Sequence, residues 1–361
     1  MLRVHLKKTV DDSYSIDIGA GKISTLPSLI QKKISPHQCV IITDSTVKKI
    51  YGKKIIALFR SVFPNVILID FPAGEHSKTR ETKSALEDKI FQHRLGKDCC
   101  IVALGGGVVG DVSGFLASTL FRGVPFVQVP TTLLAQVDSS SGGKTAVDHP
   151  SGKNLIGAYH QPKHICIDTD FLATLTKEEY VNGIAEIIKQ ALIQDSKFFS
   201  FLEQEMEHLV ARHKTILQKT IVWNCKLKAQ IIEKDERENG PRKILNFGHT
   251  IGHALEILSH FELRHGYAVA IGMATEARIA YRFGWLSSDT VRRIDAMLER
   301  AQLPRHIPKN IPIEKIIAKT YRDKKNRGWN VKYSLPDAIG HCKFNIEVEE
   351  HIVRECLLEM Q

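Results

Sequence analysis

A run of apolar residues, Cys99-Cys100-Ile101-Val102-Ala103-Leu104, passes directly into Gly105-Gly106-Gly107-Val108-Val109-Gly110-Asp111. This junction constrains the fold more than any other stretch. A short apolar run bounded by glycines reads as a buried strand, and the glycines let the backbone turn tightly into a following helix. The same alternation surrounds it. Residues 14–18, 39–43, 66–69 and 126–129 read as strands, while residues 46–62 and 78–91 carry apolar positions at helical spacing. Strands alternating with helices imply a mostly parallel sheet with crossover helices. After about residue 172 the pattern becomes helical, with segments at 179–193, 196–211, 215–232, 248–258, 266–283, 289–300 and 313–320, then a hairpin or loop near 331–344. The expectation is an α/β N-terminal domain over residues 1–172 joined to an all-α C-terminal domain over 173–361, with ligands held in the cleft between them.

Composition excludes several classes. A chain of 361 residues at 43% hydrophobic has enough apolar material for two cores. Its first eight residues are broken by charge, unlike a signal peptide, and its apolar runs are too short to span a bilayer. Seven cysteines without a Cys-x-x-Cys spacing argue against a disulfide framework or a cysteine zinc site, and for a reduced cytoplasmic enzyme. The net charge of +10 comes from scattered doublets such as Lys32-Lys33 and Lys53-Lys54, with no basic-aromatic recognition motif. That distribution disfavours nucleic acid and suits small phosphorylated substrates.

The spacing Gly105-x-Gly107-x-x-Gly110 matches a dinucleotide fingerprint, in which glycines admit a pyrophosphate to a helix N-terminus. The usual ribose-binding acid about twenty residues later is missing. Asp44 and Glu75, each following a strand, stand as upstream candidates, so any NAD would be bound in a non-standard Rossmann-like way. Gly142-Gly143-Lys144-Thr145 resembles the end of a P-loop, but Val137 or Asp138 occupies the place of its first glycine. A polar loop presenting Lys144 to an anion fits better, and Lys153-Asn154 follows in another glycine-containing loop.

The helical half contributes a second constellation. His249 and His253 lie four residues apart on one helical face, and His265 follows one short connection later. Upstream, Glu186 and Lys189 share a face of an otherwise apolar helix, where ionised groups are costly unless paired or metal-bound. Spacing alone favours His249 and His253 as a metal pair, as in helical zinc sites.

Taken together, residues 105–122, 130–157, 182–189 and 235–242, the last running into 246–256, resemble the 3-dehydroquinate synthase family of sugar-phosphate cyclases. The resemblance extends from Asp44 to about Gly340. It implies cyclisation of 3-deoxy-D-arabino-heptulosonate 7-phosphate to 3-dehydroquinate and phosphate, by transient oxidation with NAD, phosphate elimination, re-reduction and aldol closure. It also implies one divalent metal, zinc or cobalt, and a homodimer.

Position by position, the resemblance gives the metal to Glu186, His249 and His265. It places NAD at Asp44, Glu75, Lys78, Gly106, Gly107, Val108, Asp111, Thr131, Thr132, Lys153 and Asn154. Substrate falls to Asp138, Lys144, Lys189, Lys228, Arg242, Asn246, His253 and Lys324, and to Arg122 reaching across the dimer interface. Three residues depart from the family pattern: Thr46, Ser141, and Tyr267 where glutamate is common. The rival readings are a metal-dependent NAD polyol dehydrogenase, a cyclase for glucose 6-phosphate or sedoheptulose 7-phosphate, and a degenerate NAD-binding protein. A neutral polyol would need no such cluster of cations as Lys144, Lys153, Arg242 and Lys324.

Overall fold

Strand β4 (Cys99–Gly105) is buried at every position and lies inside a six-stranded sheet. The other strands are β1 (Ser15–Gly19), β2 (Gln38–Asp44), β3 (Ile67–Phe71), β5 (Phe126–Pro130) and β8 (His164–Asp168), in the order β1-β8-β5-β4-β2-β3. Every pairing in the sheet is parallel, with Val40 opposite Ile101 and Val102 opposite Val127. Helices α1 (Leu26–Lys33), α2 (Ser45–Arg60), α3 (Arg80–Gln92) and α4 (Gly107–Thr119) make the connections. Continuous apolar strands belong to parallel sheets covered on both faces, and Val40, Ile42, Ile101, Ala103, Val112 and Leu116 share one core cluster. The computed structural model describes residues 3–5, 10–321 and 331–361.

Two strands of this unit, β6 (Lys144–His149) and β7 (Gly152–Tyr159), pair antiparallel as a separate hairpin. Sequence reading takes this segment as polar loops, because β7 is half-exposed and rich in glycine and polar residues. Strand β8 also escapes the sequence reading. Five buried residues give too short a run for periodicity to decide between strand and helix.

The helical unit contains α5 (Lys177–Gln194), α6 (Ser196–Val210), α7 (Lys214–Lys234), α8 (His249–Leu258), α9 (His265–Arg282), α10 (Ser288–Arg300), α11 (Ile313–Tyr321) and α12 (Glu350–Glu359). It also carries the hairpin β9 (Lys332–Ala338) and β10 (His341–Glu347). Helix α5 is buried without a break from Tyr180 to Ile193, as a helix apolar on all sides must be. It packs against α6, α7 and α9.

By internal contacts, the chain up to Pro130 groups with Gly143–Asp168, and Thr131–Gly142 groups with Thr169–Gln361. The segment 131–142 joins the helices through specific bonds. Asn224 Nδ2 donates to the Val137 carbonyl at 2.7 Å, and Arg242 Nη2 donates to the Gly142 carbonyl at 3.2 Å. Gly183 of α5 lies so close to Leu133 that an added Cβ would come within 2.7 Å of its Cβ.

Candidate active site

Helix α5 starts where Thr176 accepts the Glu179 N–H at 3.3 Å, with Glu178 and Glu179 complementing the helix dipole in the first turn. Two turns further on, Glu186 and Lys189 are each 1% exposed and form an ion pair. Glu186 Oε1 lies 3.5 Å from His249 Nε2 and 3.4 Å from His265 Nε2. These three residues form a group whose donor atoms all lie within 4.8 Å of one another.

The other ring nitrogens are anchored. His249 Nδ1 donates to the Phe247 carbonyl at 3.1 Å, and His265 Nδ1 donates to Glu256 Oε2 at 3.1 Å. Both Nε2 atoms therefore face the carboxylate, the arrangement by which outer partners orient metal-ligating imidazoles. Glu186 Oε1 is buried and makes no hydrogen bond. A carboxylate oxygen and two imidazole nitrogens converging in this way fit a divalent cation with a position left open for substrate.

Burial, reinforced by Lys189, drives the His249 pKa down to about 3, so its ring is neutral and available as a ligand. Burial also opposes charge on His265, yet its contacts with Glu186 and Glu256 hold the pKa up to about 10. A proton and a divalent cation therefore compete for His265. Zinc titrated into metal-free protein at pH 8 is expected to release about one proton, read by calorimetry in buffers of different ionisation enthalpy. Zinc affinity weakens as pH falls. No proton release would mean that His265 is already neutral in the metal-free protein.

His253 shares the helical face of His249, and their rings meet edge-on at 5.1 Å, but its side chain is exposed and falls outside the group around Glu186. A second triple, His253, Glu256 and His265, lies within ligating reach, with Glu256 already bonded to His265. On the other side, a π-helical turn over Ala135–Ser139 presents Asp138, and such turns recur at functional sites. Asp138 Oδ1 lies 2.5 Å from Lys228 Nζ of α7. Burial works against the Asp138 charge, but Lys228 and Lys189 hold its pKa below the usual range. Lys228 is lowered by burial, with Lys189 and Arg242 adding repulsion.

Glu186 and Lys189 both act on Asp138, so the ion pair and the Asp138–Lys228 pair form one electrostatic unit. Replacing Lys228 by Met leaves Asp138 without its cation. We expect Asp138 to titrate upward and kcat/KM to fall by about 100-fold, read from the pH–rate profile. Arg242 is 2% exposed, its guanidinium bonded to the Glu236 and Gly142 carbonyls. Asn246 Nδ2 donates to Glu238 Oε1 at 2.7 Å.

The residues expected to hold NAD gather at the carboxyl ends of neighbouring strands, where open α/β sheets bind ligands. Asp44 ends β2 and caps α2, accepting from Thr46 and Val47 N–H at 2.8 and 2.9 Å. Gly106 is the N-cap of α4, which carries Gly107, Val108 and Asp111. Lys78, 5% exposed, pairs with Asp111 at 2.6 Å and donates to Asn154 Oδ1 at 2.5 Å. Lys153 pairs with Glu75 at 3.0 Å. Thr131 follows β5, and the Thr132 hydroxyl accepts the Ala135 N–H at 3.2 Å. Lys144 is exposed at the start of β6, and Arg122 is exposed in a left-handed turn with φ of 68°. Lys324 lies outside the described residues.

Sequence reasoning assigned no role to three supporting residues. Glu256 orients His265; Asn182 Oδ1 accepts the Gly266 N–H at 2.7 Å and so seats the start of α9; and Glu276 of α9 bonds the start of α8. Each is a polar group inside an apolar helical run, the signal that singles out Glu186. Burial raises the Tyr267 hydroxyl pKa, with Arg264 opposing, and the carboxylate beside His265 comes from Glu256.

Comparison with known proteins adds an independent line. Residues 68–182 match the family model for the 3-dehydroquinate synthase N-terminal region, and residues 183–326 match the model for its C-terminal region. A 3-dehydroquinate synthase of Desulforamulus reducens is 41% identical over 339 residues, 94% of either chain. Among solved structures, 2-epi-5-epi-valiolone synthase of Streptomyces hygroscopicus subsp. jinggangensis, with NAD+ and Zn2+ bound, superposes with a TM-score of 0.89 at 28% identity over 99% of both chains. A 2-deoxy-scyllo-inosose synthase complexed with carbaglucose-6-phosphate, NAD+ and Co2+ gives 0.87 at 27% identity over 96% of both.

Proposed function

Because the chain belongs to the 3-dehydroquinate synthase family, we propose that Glu186, His249 and His265 hold its metal and that the Asp138, Lys189 and Lys228 cluster handles the substrate. The enzyme is a phosphate-eliminating lyase. It converts 3-deoxy-D-arabino-heptulosonate 7-phosphate into 3-dehydroquinate, with NAD and zinc or cobalt as cofactors, on the shikimate route to chorismate and aromatic amino acids. The observation that carries the assignment of roles is the buried, unbonded Glu186 oxygen between two imidazole nitrogens and beside two lysine–carboxylate pairs.

When bound, NAD supplies a hydride acceptor that later returns the hydride, and the metal supplies a Lewis acid that acidifies substrate hydroxyls. The chain's own residues do the rest. Lys144, Lys228, Lys324 and Arg122 hold the phosphate, whose charge stays high through elimination. Arg242 and Asn246 engage the C1 carboxylate and neighbouring hydroxyls. His253, exposed beside His249, hydrogen-bonds the substrate rather than ligating the metal. Asp138 stays ionised, held so by Lys228, and orients that ammonium. Asp44, Glu75, Lys78, Gly106, Gly107, Val108, Asp111, Thr131, Thr132, Lys153 and Asn154 bind NAD; all but Thr131 and Thr132 belong to the unit of residues 1–130 and 143–168, while Asp138, within 131–142, belongs to the helical unit that carries Glu186, His249 and His265.

No helix among the described residues is long and apolar enough to cross a membrane. Seven free, buried cysteines favour a reducing cytoplasm as its location.

The test is turnover with NAD far below the enzyme's substrate. Phosphate and 3-dehydroquinate should appear in equal amounts over many cycles while absorbance at 340 nm stays flat. Stoichiometric NADH would instead support the polyol dehydrogenase reading. Phosphate release from glucose 6-phosphate or sedoheptulose 7-phosphate, but not from the heptulosonate, would move the enzyme to another cyclase activity.

A further inference from the structure

Helix α8 has an unusual start. Its N-cap is Gly248, at φ of 78°, and no side chain of the cap position bonds the first turn. The exposed N–H groups of a helix N-terminus need acceptors, and buried ones cost most when left bare. Glu276 supplies them from another helix. Its Oε2 accepts the Gly248 N–H at 2.6 Å, and its Oε1 accepts the Ile251 N–H at 3.3 Å. Burial pushes its pKa up to about 8, against the pull of the backbone N–H groups of Gly248, Ile251 and Thr250. Glu276 is fully buried.

The contact is tightly framed. A Cβ at Gly248 would come within 2.7 Å of Met273 Cγ, and one at Gly252 within 3.2 Å of the Ala268 backbone, so α8 and α9 approach at backbone distance. His249 is the first residue of α8, and His265 is the first residue of α9. Helix α9 thus gives one imidazole at its start and, three turns or about 16 Å later, a carboxyl that grips the helix bearing the other.

We propose that Glu276 is a positioning residue for the metal site: by bonding the first turn of α8 it fixes the imidazole of His249 against Glu186 and His265. This rests on the reading of Glu186, His249 and His265 as the metal group. Glu276 bonds the α8 backbone and lies outside the group of converging donor atoms around Glu186. A ligand held to within tenths of an ångström needs its own support fixed, and loss of such outer support costs about 10- to 100-fold in metal affinity.

Three variants test it: Glu276→Leu, Glu276→Gln and His249→Ala, each loaded with cobalt and with zinc. The readouts are the visible absorption of bound cobalt, the rate of zinc loss to a chelator, and the melting temperature. Glu276→Leu removes both acceptors and should bind zinc about 30-fold more weakly, with a changed cobalt spectrum. Glu276→Gln keeps one acceptor and should release zinc about 3-fold faster with a near-native spectrum. A Glu276→Leu protein with lowered melting temperature but native spectrum and zinc affinity would make Glu276 a stability cap alone and overturn the proposal. If that variant does not fold, Glu276→Gln decides, and an unchanged release rate and spectrum overturn it. His249→Ala separates the two readings: retained zinc there refutes the metal group itself, whereas lost zinc there with unaffected Glu276 variants refutes only the positioning role.

Discussion

Dialysed Glu186→Gln, His249→Ala and His265→Ala proteins are expected to come through without zinc, while His253→Ala keeps its metal and loses turnover. The first three lack one of the converging donors, and two remaining donors leave too few ligands for a stable catalytic site. Without the Lewis acid, kcat/KM should fall by at least about 1000-fold, equivalent to some 4 kcal/mol of transition-state stabilisation. His253 sits outside the group around Glu186. Its removal should therefore lower kcat by about 100-fold, as loss of one substrate-directed hydrogen bond does. Metal analysis by mass spectrometry checks both halves. A metal-free His253→Ala protein alongside a zinc-loaded His265→Ala protein would move the site onto the i, i+4 pair.

A comparable loss is expected at Arg122. Its side chain is exposed and follows Phe121 in the left-handed region, with φ of 50° and 68° for the two. Strained backbone of this kind persists where surroundings over-determine it, commonly at functional sites. We propose that Arg122 completes the phosphate site of the second subunit in a homodimer. Arg122→Ala should then lose about 1000-fold in kcat/KM through a missing charge-assisted contact.

Mixing it with an inactive Lys189→Met partner gives the decisive experiment. Random exchange makes half the dimers mixed, and each mixed dimer regains one complete site of two. Activity should return to about a quarter of the wild-type level. Mixed dimers verified by native mass spectrometry yet inactive would refute the shared site. Met is preferred over Ala at position 189 because Lys189 is buried, and an apolar side chain of similar length limits the cavity.

What local chemistry writes into the chain was legible from the sequence. The apolar run into Gly105 yields β4 and the N-terminus of α4, because a buried strand and a glycine turn each have a short-range signature. The 3.6-residue spacing after residue 172 yields α5 through α11 to within a residue or two, since helical bonds close within four residues. Charges inside apolar helices marked Glu186 and Lys189 as groups needing partners.

Tertiary structure decided what spacing leaves open. Spacing alone favours His253 as the partner of His249, and only the packing of α5, α8 and α9 brings His265 Nε2 to 3.4 Å from Glu186. Residues 131–142 follow a sheet strand in sequence yet group with the helices, because Asn224, Lys228 and Arg242 bond their carbonyls and Asp138. Strand β8 finds its place between β1 and β5 through parallel pairing with a segment far away in the chain. Glu256 and Glu276 acquire roles only when α9 lies against α8. In each case the partner lies on another element, and no local periodicity records which elements will meet.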